Sequence, residues 1–168
     1  SSISDALRGL GIIADHRSQF MEAESLYLKS LSLAHHMNDL NRALILLSNL
    51  GAMECYRGNF EKAAEYLEEG LTFARKTNNR KDLSPLLLNM GAVAHSRGDY
   101  KEEEKLYRQG LEVARENDNK EDICFQLTNL GAFLNDAGEY KKARTHFEDG
   151  LRIAREIGDR ERMSSLLR

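Results

Sequence analysis

The sequence has a single proline, no long apolar run and almost no net charge. One proline in 168 residues leaves little to interrupt long helices, so the composition favours an all-helical chain. No apolar run approaches the roughly 20 residues that cross a bilayer, and the opening SSISDALRGL lacks the zones of a signal peptide. We therefore expect a soluble, cytoplasmic chain with no membrane partner.

Basic and acidic residues nearly balance, with 24 Lys and Arg against 27 Asp and Glu. This balance provides no general attraction to nucleic acid. The densest basic stretch, RKTNNRK at 75–81, falls at a predicted helix end, where it favours solubility and complements the helix dipole. We expect no nucleic-acid partner.

Glycine, in contrast, recurs at fixed intervals. One set is spaced by 40 residues, at Gly11, Gly51, Gly91 and Gly131, and a second has the same period, at Gly58, Gly98 and Gly138. Near copies of one segment surround these pairs: LSNLGAMECYRGNFEKA, LLNMGAVAHSRGDYKEE and LTNLGAFLNDAGEYKKA. The chain is therefore interpreted as one repeat array over 1–168, with units at about 1–40, 41–80, 81–120 and 121–160. Residues 161–168 match the start of a further helix.

Each unit contains two apolar stripes with helical spacing, which predict a helix A and a helix B. In the last unit helix A carries Ile123, Leu127, Leu130 and Phe133, and helix B carries Tyr140, Phe147, Leu151 and Ala154. The second glycine of each unit suits the end of helix A, because glycine enters the left-handed conformation at no steric cost. Side chains that can cap a following helix recur at one position, in Asp39, Asn79, Asn119 and Asp159, and Asn59 and Asp99 can cap helix B.

The first glycine of each unit lies inside helix A, where it costs about 1 kcal/mol relative to alanine. Small residues also recur on helix B, at Ala23, Ala63, Ala143, Ser30, Gly70, Gly110 and Gly150. We therefore expect the two helices of a unit to approach closely at the first glycine.

This pattern resembles the tetratricopeptide repeat, in which a leucine-glycine in helix A precedes a glycine-aromatic turn and small residues in helix B. The second unit carries the motif in Leu50, Gly51, Gly58, Phe60, Ala63 and Gly70, and the fourth in Leu130, Gly131, Gly138, Tyr140, Ala143 and Gly150. The resemblance spans the whole chain. Its period of 40 exceeds the standard of about 34, as in MalT-like and STAND regulators and Pins-type adaptors. The resemblance implies an all-α, right-handed solenoid of four antiparallel helical hairpins.

Three positions depart from the family pattern. Glu103 replaces the small residue of helix B in the third unit, and Ser18 replaces the turn glycine in the first, so we expect looser packing at both. Pro85 is tolerated if its helix begins near Asp82, and it kinks the helix if Asn79 is the cap.

Helix A lines the concave groove of tetratricopeptide arrays, so the resemblance implies a peptide-binding groove here. One asparagine per repeat would project into it, at Asn49, Asn89 and Asn129, and a carboxamide can bond a peptide backbone regardless of its side chains. Flanking candidates are Ser48, Ala52 and Tyr56, then Leu88, Ala92 and His95, then Phe125, Thr128, Ala132, Asn135 and Asp136. The first repeat has Gly9 instead, flanked by Arg8, Asp5, Asp15 and His16.

Two interpretations of the asparagines are open: they bind a ligand, or they satisfy a carbonyl of an adjacent helix. The groove set lacks the basic cluster that grips a C-terminal carboxylate in chaperone-binding relatives, so that partner class is not expected.

Catalysis is not expected. The five histidines, His16, His35, His36, His95 and His146, form no pair with metal-ligand spacing, and neither Cys55 nor Cys124 is placed to complete such a site. The sequence indicates no cofactor. It favours a protein- or peptide-binding module, the sensor or recruitment segment of a larger bacterial signalling protein. The alternatives are a regulator that senses a small molecule in its groove, a free-standing scaffold adaptor, and a purely structural spacer whose groove binds nothing.

Overall fold

The computed structural model describes residues 2–160, 162 and 163. Over these residues it contains helices and no strand, so the predicted all-α repeat fold is confirmed. The helices are α1 (Ser2–His16), α2 (Phe20–His36), α3 (Leu40–Tyr56), α4 (Phe60–Thr77), α5 (Leu83–Ser96), α6 (Tyr100–Glu116), α7 (Lys120–Asp136) and α8 (Tyr140–Ile157). Odd-numbered helices are the predicted helices A, and even-numbered helices are the predicted helices B.

The chain forms two compact units. Unit 1 contains α1 to α4, and unit 2 contains α5 to α8, so each holds two helical hairpins. The single array over 1–168 stays a prediction. Of the predicted further helix, Arg162 and Met163 are helical, whereas Leu166 and Leu167 lie outside the described residues.

The turns within the hairpins follow the predicted glycine chemistry. The φ angles are +77° at Gly58, +71° at Gly98 and +78° at Gly138, all left-handed. Ser18 adopts the same conformation, with φ +58°, although it has a side chain. The first hairpin therefore retains the turn of the others, at a steric cost that glycine avoids.

Side-chain caps form at most of the predicted positions. The carboxylate of Asp39 accepts from the backbone N–H of Arg42 at 3.0 Å, and Asn119 accepts from that of Asp122 at 3.1 Å. Asp99 caps α6 in the same way. The prediction for Asn59 is wrong: it makes no cap bond, and its Nδ2 donates to Glu54 Oε2 at 2.6 Å. The buried carboxylate of Glu54 therefore competes successfully for the Asn59 side chain.

The first glycine of each repeat is a helix contact, but its partner is a large side chain. A Cβ at Gly51 would lie 2.5 Å from Leu67 Cδ2, and the other three glycines meet Tyr27, Tyr107 and Phe147 in the same way. Each partner stands 16 residues further along, on helix B. The glycine therefore makes room for a bulky core residue, whose atoms are the nearest ones to the built Cβ.

Leucines and aromatic residues fill the core of each unit. In unit 1 the fully buried side chains include Tyr27, Leu46 and Leu50, and in unit 2 they include Leu127 and Leu130. Helix α5 begins at Leu83, so Pro85 lies in its first turn, where a backbone N–H would have no acceptor within the helix. The two cysteines are free thiols.

Candidate binding face on the first helix of each repeat

The candidate groove residues of the fourth repeat share one face of α7. They recur at helical spacing along the helix, as Phe125, Thr128, Asn129, Ala132, Asn135 and Asp136. The opposite stripe is buried in the unit 2 core and contains Cys124, Leu127, Leu130, Gly131 and Leu134. The core therefore fixes the rotation of α7 and leaves the candidate face half-buried or exposed.

Two polar side chains on this face bond to the backbone of α7 itself. Asn129 Nδ2 donates to the carbonyl of Phe125 at 2.9 Å, and Thr128 Oγ1 donates to the carbonyl of Cys124 at 2.8 Å. The asparagine contact is thus to its own helix and not to a neighbouring one. Near the start of the face, the Arg162 guanidinium lies 3.4 Å from the ring centroid of Phe125 and covers part of that ring.

In the third repeat, α5 presents a less exposed set. Leu88, Asn89 and Ala92 are half-buried, and His95 near the end of the helix is exposed. Helix α5 packs against α6 and also contacts α7 within unit 2. The structure therefore places α5 and α7 candidates on neighbouring helices.

His95 and Asp136 line one cleft of about 390 Å³, the unit 2 cleft. Its lining residues are His95, Tyr100, Glu103, Phe133, Asp136 and Ala137. They come from the end of α5, the start of α6 and the end of α7. Two of these six residues, His95 and Asp136, are candidates predicted from the sequence.

Glu103 is the most unusual residue of the unit 2 cleft. Its replacement of a small residue predicts looser packing, yet the side chain is 3% exposed and hydrogen-bonded. His95 Nδ1 lies 3.1 and 3.0 Å from the two carboxylate oxygens. The imidazole of His95 and the buried carboxylate of Glu103 are therefore hydrogen-bond partners across the cleft. The sequence feature that marks Glu103 is a glutamate at the repeat position that Ala23, Ala63 and Ala143 occupy in the other repeats.

Unit 1 contains a cleft of about 310 Å³ at equivalent repeat positions, the unit 1 cleft. It is lined by Asp15, His16, Ser18, Phe20, Ala52, Met53 and Tyr56. Adding 80 to Asp15, Phe20, Met53 and Tyr56 gives His95, Tyr100, Phe133 and Asp136 of the unit 2 cleft. The candidates Ala52 and Tyr56 lie in this cleft, with Tyr56 79% exposed, whereas Ser48 and Asn49 are half-buried on α3 and do not line it.

A charged network lies beside the unit 1 cleft. The fully buried Glu54 carboxylate lies 2.9 Å from Arg57 Nη1 and 3.4 Å from Lys62 Nζ. Lys62 also bonds Glu24, and this bond raises the pKa of the Lys62 ammonium. Arg57, directly after α3, and Lys62 of α4 thus compensate the buried charge.

The chemistry of these residues gives little support to a nucleophilic or metal site. Burial and the Glu54 charge raise the pKa of the Cys55 thiol to about 11, which keeps it protonated at neutral pH. Within the described ranges, no three His, Cys, Asp or Glu side chains are grouped so as to hold a metal ion. None of the described helices is long and apolar enough to cross a bilayer.

Solved structures with the same fold are numerous. A Rap protein complexed with competence and sporulation factor matches with a TM-score of 0.87 at 19% identity, over 97% of this chain and 46% of that chain. Aspartyl phosphate phosphatase F from Bacillus subtilis gives 0.85 at 13% identity, over 97% and 43%. A STAND protein with a tetratricopeptide repeat sensor from Pyrococcus horikoshii gives 0.80 at 20% identity, over 94% and 24%.

The chain thus spans less than half the length of these three structures, and the similarity is one of fold. No curated protein sequence is a significant match. One tetratricopeptide-repeat family model matches residues 2–76 and 41–116, and a second matches residues 126–157. These matches cover most of the chain and coincide with its helical hairpins. The chain is a protein-interaction module that belongs to the tetratricopeptide-repeat family.

Proposed function

We propose that the odd-numbered helices bind an extended peptide or protein segment, and that the chain is the sensor or recruitment segment of a larger bacterial signalling protein. In this proposal Asn49, Asn89 and Asn129 bond the peptide backbone. The flanking candidates on α3, α5 and α7 receive its side chains. The cytoplasmic location predicted from the sequence is part of the same proposal.

The face of α7 is the observation that carries the proposal. The core holds one stripe of this helix, and the opposite stripe presents Phe125, Ala132, Asn135 and Asp136 to solvent. An aromatic ring followed by amides and a carboxylate supplies both apolar and polar contacts to an extended chain. The Nδ2–H bond of Asn129 to its own helix occupies one donor and leaves its second N–H and its oxygen for a ligand.

Two of the structural relatives add support. One is a Rap protein in complex with competence and sporulation factor, and another is a STAND protein whose tetratricopeptide repeats are called a sensor. Both chains are much longer than this one. The same fold in both proteins favours a recognition role within a longer polypeptide.

The test is selection of binding peptides from a random displayed library on the immobilised chain. The selected peptide is then titrated against the triple variant Asn49→Ala, Asn89→Ala and Asn129→Ala. The proposal predicts loss of binding with a melting temperature within a few degrees of the parent. Gln109→Ala, an exposed carboxamide lost from the even-numbered helix α6, is the matched control and keeps binding. Unchanged affinity of the triple variant contradicts the proposed role of the asparagines, and a collapse of its stability supports a structural role instead.

A further inference from the structure

We propose that the unit 2 cleft binds the guanidinium group of an arginine side chain supplied by a partner. The inference rests on the proposed function for the source of that arginine.

Glu103 places a carboxylate where the other repeats bury a methyl group. Ala23, Ala63 and Ala143 occupy the equivalent positions with at most 2% exposure. Burying a carboxylate is costly unless hydrogen bonds and an opposite charge compensate it. His95 supplies hydrogen bonding to both oxygens of the Glu103 carboxylate, and a guanidinium group would supply an opposite charge.

The other residues that line the cleft also favour the binding of a cation. Asp136 adds a second, exposed carboxylate at the end of α7, and the described lining residues include no lysine or arginine. Tyr100 and Phe133 supply aromatic rings, which attract a cation placed over their faces. A planar guanidinium can stack on a ring while it bonds a carboxylate, which a compact ammonium does less well.

Unit 1 contains a comparable set of ring, arginine and carboxylates, in which the carboxylates of Glu24 and Glu54 occupy other repeat positions than Glu103. The guanidinium carbon of Arg57 lies 5.9 Å from the ring centroid of Phe20, a residue of the unit 1 cleft. The same group pairs with Glu54 at 2.9 Å and with Glu24 at 3.5 Å. An arginine from the end of helix A therefore lies over an aromatic ring from the start of helix B and meets buried or half-buried carboxylates.

In unit 2 the equivalent arginine is absent. Arg17, Arg57 and Arg97 occupy one repeat position, and the fourth copy has Ala137 there. Ala137 lines the unit 2 cleft beside the counterpart of Phe20, which is Tyr100. The cleft thus keeps the ring, carries the Glu103 carboxylate and has no arginine at this repeat position, so an external arginine can occupy the space beside Tyr100 and Ala137.

The probe is N-acetyl-L-arginine amide, titrated into the full 15N-labelled chain and followed by amide chemical shifts. We expect saturable shifts at residues 95–103 and 133–137. N-acetyl-citrulline amide, which has the same shape without the charge, should give none at equal concentration, and N-acetyl-lysine amide should bind more weakly. Equal shifts with the arginine and citrulline probes would overturn the proposal.

Three variants test the assignment of residues. Glu103→Gln should weaken binding of the arginine probe roughly tenfold, because it removes a charge-assisted bond. Ala137→Arg should abolish binding of the arginine probe, because its side chain fills the cleft from within. The spread of its amide chemical shifts should match that of the parent, as expected for a folded chain. Thr145→Arg adds the same charge at an exposed position of α8 and should leave binding intact.

The outcomes separate this inference from the proposed function. If Glu103→Gln unfolds the chain, Ala137→Arg carries the test, and full affinity in that variant overturns the proposal. If the arginine probe binds as expected while the triple asparagine variant still captures its peptide, the role of the asparagines fails and the arginine site stands. If the asparagine variant loses its peptide and the arginine probe gives no shifts, the arginine site fails and the role of the asparagines stands.

Discussion

Gly91 of α5 lies against the ring of Tyr107 in α6, and a Cβ built at Gly91 would lie 2.3 Å from Tyr107 Cε1. No side chain fits at that distance unless the ring moves, and Tyr107 is 5% exposed in the unit 2 core. The same relationship links Gly51 to Leu67 in unit 1. The helical glycine that recurs through the sequence is therefore a packing requirement between the two helices of a hairpin.

The variant Gly91→Leu should lose about 1 to 3 kcal/mol of unfolding free energy, because a leucine overpacks the contact with Tyr107. Urea unfolding followed by circular dichroism measures the change. Gly9→Ala is the matched control, since nothing lies within 4 Å of a Cβ there and alanine favours the helix by up to about 1 kcal/mol. A parent-like midpoint for Gly91→Leu would show that the packing assignment is wrong.

Ser18→Gly should stabilise the chain by about 1 kcal/mol. Ser18 has a φ of +58°, in the left-handed region that costs an L side chain roughly 1 to 2 kcal/mol and costs glycine nothing. The Ser18 side chain is exposed, so its removal leaves no cavity. A lower melting temperature than that of the parent would contradict this account of the turn.

Gln126→Leu should raise the unfolding free energy by about 1 kcal/mol. Gln126 is 1% exposed, and although its Nε2 donates to the carbonyl of Ser84 at 2.9 Å and to Ser84 Oγ at 3.3 Å, its Oε1 is buried without a hydrogen-bond partner among the described residues. We expect the cost of this unsatisfied buried oxygen to exceed the net return of the bonds to Ser84. Leu46 and Leu86 occupy the equivalent position in two other repeats. Denaturant titration decides the sign, and a loss of stability would show that the bond to Ser84 dominates.

The stability of the chain should depend on pH through the titration of His146. Burial, and then the nearby Arg108, lower the pKa of this imidazole below 6.5, and its Nδ1 is buried without a hydrogen-bond partner in the described part of the chain. Because the unfolded histidine takes up a proton more readily, stability is fully present above pH 6.5 and is lost as the pH falls from there towards the folded pKa. His146→Phe should flatten this part of the curve of melting temperature against pH. A curve of unchanged slope below pH 6.5 would assign the acid sensitivity to other groups.

Periodicity predicted the fold well because it depends on features that every repeat shares. The spacing of Gly58, Gly98 and Gly138 marks left-handed turns whatever surrounds them, and Asp39 and Asn119 cap helices through contacts three residues away. These are local interactions that a sequence displays directly. The Asn59 cap failed because Glu54, five residues earlier and fully buried, takes its side chain.

The unit 2 cleft was harder to predict because it depends on departures from the repeat. Glu103 replaces alanine and Ala137 replaces arginine at positions that are far apart in the sequence. Only the fold brings the start of α6 and the end of α7 to one cleft. The sequence shows both substitutions but not their shared location. Asn49 and Ser48, which were inferred from the pattern that the repeats share, lie outside both clefts.

The most direct test of the proposed function is to map the bound peptide on the chain by amide chemical shifts, with the peptide selected from the random library. We expect saturable changes concentrated on α3, α5 and α7, including Asn49, Asn89 and Asn129, and little change on α2, α4, α6 and α8 beyond the cleft residues Tyr100 and Glu103. Changes concentrated on the even-numbered helices would contradict it.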